Sequence, residues 1–463
     1  MNLQLVLLAV YSVALVAIGL WVGRLVKGAS DFFVAGRRLP AFLVFATVLA
    51  ANIGAGSTVG AASIGYQEGL GAWWWNGSAG IGSLVLALWV GPGIWREARR
   101  HGFLTLGDFL EQRYGRGVRG AVGLLLWLVT PFILAGQIIG AASILHAVAG
   151  VSRGVGATIA MAVTLVYFVA GGLLSSAWVN LVQLVVLLAG FLAGAPLAVS
   201  AAGGIEAFST AGHLPPDFTT MWQGRASITW LALLGPAFIV SPGLIQKAYG
   251  AVDERALRLG IGAAGVALML FGFLPPLIGM AARVLYPELP NVDLALPTVL
   301  VNDLPPTVGS LALAAVLSAE ISSADAILFM LATSLSQDLY RRFVRPDSTD
   351  RTVLRVARGA AVAGGGVALL LALVLPTVVD ALKVFYSVLT VVLCVPVVAA
   401  LHSRKVGRPE ALTSIAAGLS VMVLVALVAG PAGIGGWSPA LVGLVASAVG
   451  FAAVASVAKR GDA

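Results

Sequence analysis

Thirteen apolar runs, each long enough to cross a bilayer, leave this chain little choice of architecture. A bilayer core takes about 20 apolar residues in one helix. Runs of that size fall near 3–24, 41–66, 71–95, 120–149, 155–173, 176–200, 228–248, 259–284, 306–338, 353–376, 380–402, 411–430 and 437–458. Lipid offers no hydrogen bonds to the backbone, so such runs must fold as helices that pair their own N–H and C=O groups. Composition agrees: 59% of the residues are apolar and 10% are charged, with a mean hydropathy of +0.98, where soluble domains carry about 25% charged residues. A soluble globular enzyme is excluded. So is disorder, which needs low hydrophobicity and high net charge. The first run does not read as a cleaved signal peptide, because Met1-Asn2-Leu3-Gln4 lacks a basic start and Arg24 and Lys27 follow directly.

The net charge of +8 is a topology signal rather than a nucleic-acid footprint. Of the 28 Lys and Arg, 24 lie in the alternate loops 24–40, 96–119, 247–258, 341–358 and 404–408 and in the tail at 459–460. The other four are Arg153, Arg225, Arg283 and Lys383. This positive-inside bias predicts an outside N-terminus and a cytoplasmic C-terminus in a bacterial cytoplasmic membrane. It also supports the count, since one missed helix would swap the sides of every later loop. The longest non-spanning stretches, 96–119, 201–227, 285–305 and 339–352, leave no soluble domain. Residues 285–305 read as an external loop with a short helix, either re-entrant or simply on the surface. A lone Cys394 and four scattered His exclude an intrachain disulfide and a Cys-based metal site. No HExxH, Walker or GxSxG motif is present.

Two runs make poor helices. The second reads Leu49-Ala-Ala-Asn-Ile-Gly-Ala-Gly-Ser-Thr-Val-Gly60, and the seventh Leu234-Gly-Pro-Ala-Phe-Ile-Val-Ser-Pro-Gly243. Their Gly and Pro predict non-helical backbone near 53–57 and 235–243, which a membrane tolerates only where it is buried in protein or lines a wet cavity. Paired interruptions at matching places in two halves point to a transporter site at the centre of an inverted repeat. The breaks are five runs apart. That predicts two five-helix repeats, 41–200 and 228–402, with an extra helix and loop at 1–40 and two helices at 409–463. The fold class is therefore an all-α polytopic membrane protein with a 5+5 core. Gly used for tight helix packing is the alternative for the second run; it does not account for the prolines of the seventh.

The ninth run carries Ser318-Ala-Glu-Ile-Ser-Ser-Ala-Asp325 in its middle. A carboxylate at the bilayer centre costs roughly 2.5–3.5 kcal/mol or more, so intramembrane Glu320 and Asp325 point to function. Ala319, Ser322 and Ser323 are spaced i, i+3, i+4 and share a face. Two hydroxyls opposite the free carbonyls of a broken helix make an all-oxygen cage for a small hard cation such as Na⁺. Either serine alone would instead bond its own i−4 carbonyl.

Five segments in register resemble the sodium:solute symporter family, whose members share the leucine-transporter (LeuT) inverted-repeat fold. They are Ser30-Asp-Phe-Phe-Val-Ala-Gly-Arg-Arg-Leu-Pro40, Ala50-Ala-Asn-Ile-Gly54, Tyr167-Phe-Val-Ala-Gly-Gly-Leu-Leu-Ser175, Gln246-Lys-Ala-Tyr-Gly-Ala-Val-Asp-Glu-Arg255, and Ala319-Glu-Ile-Ser-Ser-Ala-Asp325 followed by Ser336-Gln-Asp-Leu-Tyr340. The resemblance implies a sodium site made of the backbone oxygens of Ala50, Ile53 and Ala319 and the hydroxyls of Ser322 and Ser323. It implies solute-lining positions at Asn52, Ser57, Asn76 and Ser78, with Phe238 beside the place of an aromatic gate. Many members carry an Asp where this chain has Asn180, and an apolar residue where it has Glu320. That Asp helps the ion leave or forms a second cation site. Glu320 is expected to take over part of its work, flanking the cage, or else to cap a polar group on a neighbouring helix; Asp325 is grouped with this coupling set.

The function so implied is sodium-coupled secondary active symport, importing a small organic solute by alternating access, with Na⁺ as coupling ion and no other cofactor. The expected partners are the solute, Na⁺ and the lipid bilayer, with no nucleic acid, in a monomer or weak oligomer. Proton-coupled or uncoupled transport is the alternative; a channel lacks a filter-like loop, and an enzyme lacks a constellation beyond Glu320 and Asp325. The family handles sugars, amino acids, vitamins, short carboxylates, urea and choline. The triplet Trp73–Trp75 reads either as a cation–π cage for a quaternary ammonium or as an interfacial aromatic belt.

Overall fold

The computed structural model describes residues 35–170, 173–403 and 406–461, with positions 10 and 13. The run at 3–24, the loop cations Arg24 and Lys27, and Gly171-Gly172 of the Tyr…Gly-Gly-Leu segment lie outside the described residues. From residue 41 on, every apolar run coincides with helix: α1 Ala41–Asn52, α2 Ala61–Glu68, α3 Trp73–Val85, α4 Gly91–His101, α5 Leu106–Tyr114, α6 Arg116–Ala149, α7 Arg153–Ala170, α8 Leu173–Ala201, α9 Arg225–Ile239, α10 Pro242–Tyr249, α11 Glu254–Phe271, α12 Leu274–Leu285, α13 Ala295–Asn302, α14 Pro306–Thr333, α15 Asp350–Val374, α16 Val378–His402, α17 Arg408–Ala429 and α18 Pro439–Gly461. Ten of these stretches are long and apolar enough to cross a membrane, several of them formed by consecutive helices that run together.

The helices pack in two groups. One joins α6, α7, α14 and α15, each against the others; the second joins α1, α2, α3, α9, α11 and α12. Helix α8 touches both, through α14 and α1, and α16 does so through α6 and α9. The last two helices, α17 and α18, pack mainly on each other and on α16.

Both expected breaks exist, and both are narrower than the sequence predicts. The first spans Ile53–Ala55, with Ile53 extended at φ −98°, ψ 99°. A π-helical turn, Gly56–Gly60, then leads into α2, so Ser57 is helical. In the second, α9 runs through Gly235 and Pro236 to Ile239, and the chain opens at Val240–Ser241. Pro236 removes one backbone donor. One carbonyl further on, Thr390 Oγ1 of α16 donates to Leu233 O at 2.8 Å. Pro242 occupies the first turn of α10, where a missing N–H costs nothing.

The two half-helices at one end are tied together. Leu39 N donates to Gly250 O at 2.9 Å and Val252 N to Leu39 O at 3.0 Å, joining the start of α1 to the end of α10. At the same end Arg119 of α6 meets Asp108 (2.8 Å) and Glu111 (2.9 Å) of the connecting helix α5, and Asp338 just beyond α14 (2.9 Å). Glu111 is partly buried, which opposes ionisation, yet hydrogen bonds from Arg342 and Arg119 hold its carboxyl below the usual range. At the other end α13 fills the expected loop. Its approach is pinned by Asp293, whose carboxylate accepts from Ser63 Oγ of α2 and from Val378 N of α16, both at 2.8 Å.

Helices α2 and α12 approach closely through Gly65 and Gly279. A Cβ at Gly65 would lie 2.7 Å from Pro276 Cα, and one at Gly279 would lie 2.0 Å from Ala62 O. Because backbone cannot yield as a side-chain tip can, Gly279→Val should destabilise by at least the ~1–3 kcal/mol typical of overpacking. Gly366→Ala on α15 faces nothing within 4 Å and should leave stability unchanged or slightly raised. Thermal unfolding of both variants in detergent checks the contrast; equal midpoints would contradict this packing.

Candidate functional site: an oxygen cage at the first break

Opening a helix in a membrane frees carbonyls that must find donors. At the first break two serines of α14 turn toward them. Ser322 Oγ lies 3.1 Å from Ala50 O and 3.0 Å from its own-helix Ala319 O, and its one proton serves one of the two at a time. Ser323 Oγ likewise lies within reach of Ala50 O (3.2 Å), Ala51 O (3.2 Å) and Ile53 O (3.1 Å), so these carbonyls outnumber the protons offered to them. Ser57 Oγ donates back across the break to Asn52 O at 2.7 Å, and Thr58 Oγ1 to Gly54 O at 2.9 Å. The first free donor of the second half, Ala55 N–H, is capped by Gln137 Oε1 of α6 at 2.7 Å. Gly54 is required here, since a Cβ would lie 2.4 Å from Ser323 Oγ and 2.5 Å from Gln137 Oε1.

The structure thus brings together all five oxygens expected in the cage: those of Ala50, Ile53 and Ala319 and the two hydroxyls. A hydroxyl is both donor and acceptor and its proton rotates. The set can therefore close on itself or turn its lone pairs to a cation. Ser322 and Ser323 belong to one packing group and the break to the other, so the cage sits on the seam between them.

Beside the cage lies a cavity of about 20 Å³ lined by Asn52, Ser57, Asn76 and Gln137, by Trp75, Phe238 and Tyr386, and by Ser323 itself. Among the described residues, no Asp, Glu, Lys or Arg lines it. Its amides are held in place: Asn76 Nδ2 donates to Ser57 O at 3.0 Å, and Asn52 Nδ2 to Ser83 Oγ at 3.4 Å. Three rings close one side. Phe238 and Tyr386 have centroids 5.5 Å apart and Trp75 and Tyr386 6.2 Å apart, while Trp230 backs Trp75 at 5.1 Å.

Of the expected lining residues, Asn52, Ser57, Asn76 and Phe238 face this cavity; Ser78 is fully buried outside its lining. The tryptophan triplet does not form one cage. Trp73 donates to Met269 O and Trp74 to Met221 O, both at 2.9 Å, and only Trp75 reaches the cavity. Successive helix positions point about 100° apart, which is why three adjacent indoles separate. Gln137 and Tyr386 were not singled out from sequence. Gln137 could have been, as a lone amide inside the fourth run; Tyr386 carries no signal that separates it from an interfacial aromatic.

Asn180 and Glu320 do not stand together. Asn180 is buried and its Nδ2 lies 3.4 Å from Thr47 Oγ1 of α1. Glu320 is 2% exposed and faces α6 and α7, where it lines a separate cavity with Gln137 and Thr164. A Cβ at Gly140 of α6 would touch both Glu320 Oε1 (2.5 Å) and Ala55 Cβ (2.7 Å), so the carboxylate flanks the break. Neither of its oxygens has a hydrogen-bond partner among the described residues. Asp325 is buried further along α14 and interacts electrostatically with the buried Lys247 of α10.

Replacing Gln137 by Met leaves the Ala55 N–H buried without an acceptor, at a cost of about 1–3 kcal/mol. The variant should insert normally, unfold at lower temperature and lose most transport, whereas Gln137→Glu should retain more of both. Melting and uptake measured on the same preparations check this.

The sodium:solute symporter family profile matches residues 32–418. The sodium/glucose cotransporter of Vibrio parahaemolyticus is 25% identical over 418 residues, covering 80% of this chain and 74% of its own length. The sodium/pantothenate symporter of Escherichia coli K12 is 30% identical over 345 residues, covering 69% and 67%. Among solved structures, the substrate-bound outward-open state of a Na⁺-coupled sialic acid symporter superposes with a TM-score of 0.79 at 18% identity, covering 99% of this chain and 98% of that one. A nucleobase-cation-symport-1 family transporter in a closed conformation gives 0.61 at 15% identity, over 94% and 95%. These two likenesses establish the shared LeuT-type fold. With its profile matched over most of its length, the chain belongs to the sodium:solute symporter family.

Proposed function

We propose that Na⁺ binds in the cage of Ala50, Ile53, Ala319, Ser322 and Ser323, and that the solute binds beside it among Asn52, Ser57, Asn76, Gln137, Trp75, Phe238 and Tyr386. The observation that carries this is the convergence of five oxygens across the seam between the two packing groups. An ion held by both groups favours the arrangement in which they meet. Its affinity therefore differs between the two states of the transporter, and that difference is the coupling free energy. Solute and ion share Ser323, which lines the cavity and belongs to the cage. Glu320 flanks the break without touching the ion. On this reading the repeats are 41–200 and 228–402, the C-terminus is cytoplasmic, and the membrane is the bacterial cytoplasmic one.

The cavity's chemistry narrows the solute. With no charged side chain in its lining, a carboxylate or ammonium solute would lose hydration without an ion pair in return. The fitting class is an uncharged molecule with several hydrogen-bonding groups and a face to stack on the rings. The aromatic faces of Trp75, Phe238 and Tyr386 favour one second reading, a quaternary ammonium held by cation–π contacts. A thermal-shift screen of neutral polyols, amides and quaternary ammonium compounds, with Na⁺ or K⁺, separates the two.

Ser322→Ala and Ser323→Ala test the ion site. Losing one ligand at about 1.5–3 kcal/mol, the scale of a hydrogen bond to a charged group, raises the half-saturating Na⁺ concentration roughly 10- to 100-fold. Melting temperature without Na⁺ should fall as well, since each alanine removes a donor to the freed carbonyls, but the Na⁺ dependence should weaken far more than the fold. Unchanged half-saturation in both variants would remove the assignment.

A further inference from the structure

A second cavity lies apart from the transport seam, at the end of the bundle opposite the basic loops. It measures about 580 Å³ and is bounded by α9, α16, α17 and α18. This is within the size range of sites that enclose a small-molecule ligand. Its wall is apolar, with Leu233, Val388, Met422 and Ala426 inside. Val423 and Leu427 line it too and are 49% and 80% exposed, so the cavity is continuous with the outer apolar surface of α17. It opens sideways, toward lipid.

The mouth is charged. Arg225, the first residue of α9, and Lys383, in the second turn of α16, both line it and both are exposed. These are two of the four cations that break the positive-inside pattern. Facing them is one carboxylate, Glu68, which accepts from Trp230 Nε1 at 3.4 Å. Two cations against one acid leave a net positive mouth. Indoles mark its depth: Arg225 lies over Trp437 with its guanidinium 6.0 Å from the ring, and the Lys383 ammonium is 5.2 Å from the ring of Trp230. Arg225 also donates one N–H to Gly435 O at 3.0 Å, which fixes the guanidinium and leaves its other donors pointing elsewhere. Trp437, 38% exposed just before α18, marks headgroup level, while Trp230 is buried behind Lys383.

We propose that this groove is a binding site for an anionic phospholipid. Its phosphate sits between Arg225 and Lys383, and one acyl chain lies along Met422, Ala426 and Leu427. A guanidinium presents forked donors suited to phosphate oxygens. The sideways opening supplies the chain without a passage through water. The lipid would also reach the transport site indirectly, because Trp230 separates the groove from Trp75, which lines the central cavity.

Native mass spectrometry and thermal unfolding of the full chain, with phosphatidylglycerol, phosphatidylcholine or inorganic phosphate, test the proposal. Phosphatidylglycerol should be retained through delipidation and raise the unfolding midpoint above that given by phosphatidylcholine. Each cation near an anionic headgroup is worth about fivefold in affinity, so Arg225→Gln with Lys383→Gln should lower phosphatidylglycerol occupancy roughly 20- to 30-fold. Arg283→Gln, a cation outside the groove, should retain it. Should the double variant misfold, Ala426→Trp, which fills the acyl half and keeps both cations, should lose the lipid instead. Equal retention of both lipids by the wild-type protein, undiminished phosphatidylglycerol on the double variant or on Ala426→Trp, or full stabilisation by inorganic phosphate alone would each overturn the proposal.

Discussion

A peptide group inside a membrane has no water to fall back on, and each unpaired one costs several kcal/mol. Breaking α1 from α2 exposes five consecutive carbonyls, Ala50 to Gly54, and one N–H. Two serines of α14, two hydroxyls from the turn after the break, and one amide of α6 turn toward them. Each serine has a single proton, so Ala50, Ala51 and Ile53 outnumber the serine protons they share. The serines are therefore structural partners and candidate ion ligands at once. On the proposed reading a cation meets that shortage, in exchange for the hydroxyl protons.

That exchange matters because of where it happens. Helix α14 packs with α6, α7 and α15, whereas α1 packs mainly with α11, and α8 packs on both. Contacts across such a seam are the ones that change when two groups rock against one another. Other contacts at the seam's ends differ in kind. At one, the Leu39–Ala251 backbone bridge joins the half-helices α1 and α10 into a unit, while Arg119 gathers three carboxylates from α5 and the end of α14. At the other, Asp293 holds the α13 loop against both α2 and α16. Backbone and buried ionic contacts tie the ends; on the proposed reading the hydroxyl cage joins the two packing groups reversibly.

Much of this could be read from residue order. Lipid imposes one rule on every span, so apolar length located the helices. Gly and Pro located the breaks, because their conformational effects are local. Their extent was not readable. Pro236 sits inside α9, and the adjacent carbonyl of Leu233 accepts from Thr390, 157 residues away in sequence; no local pattern records a long-range donor. The Ser322-Ser323 pair was readable because two adjacent hydroxyls amid apolar residues are costly without partners. Ser78 was misplaced, and the Trp73–Trp75 triplet split three ways, because helix phase decides what a buried residue faces. Glu320, expected to take over part of the work of an acid absent at Asn180, faces α6 and α7 from α14, whereas Asn180 on α8 faces Thr47 of α1.

The central claim is that one ion in the cage couples the two packing groups to solute movement. Solute-dependent radiosodium flux into proteoliposomes, at zero membrane potential and with the solute supplied only outside, tests it most directly. The account predicts that an inward solute gradient drives Na⁺ uptake in fixed proportion to solute entry, and that neither moves appreciably without the other. Radiosodium uptake independent of solute, or concentrative solute uptake undiminished when K⁺ replaces Na⁺, would contradict it.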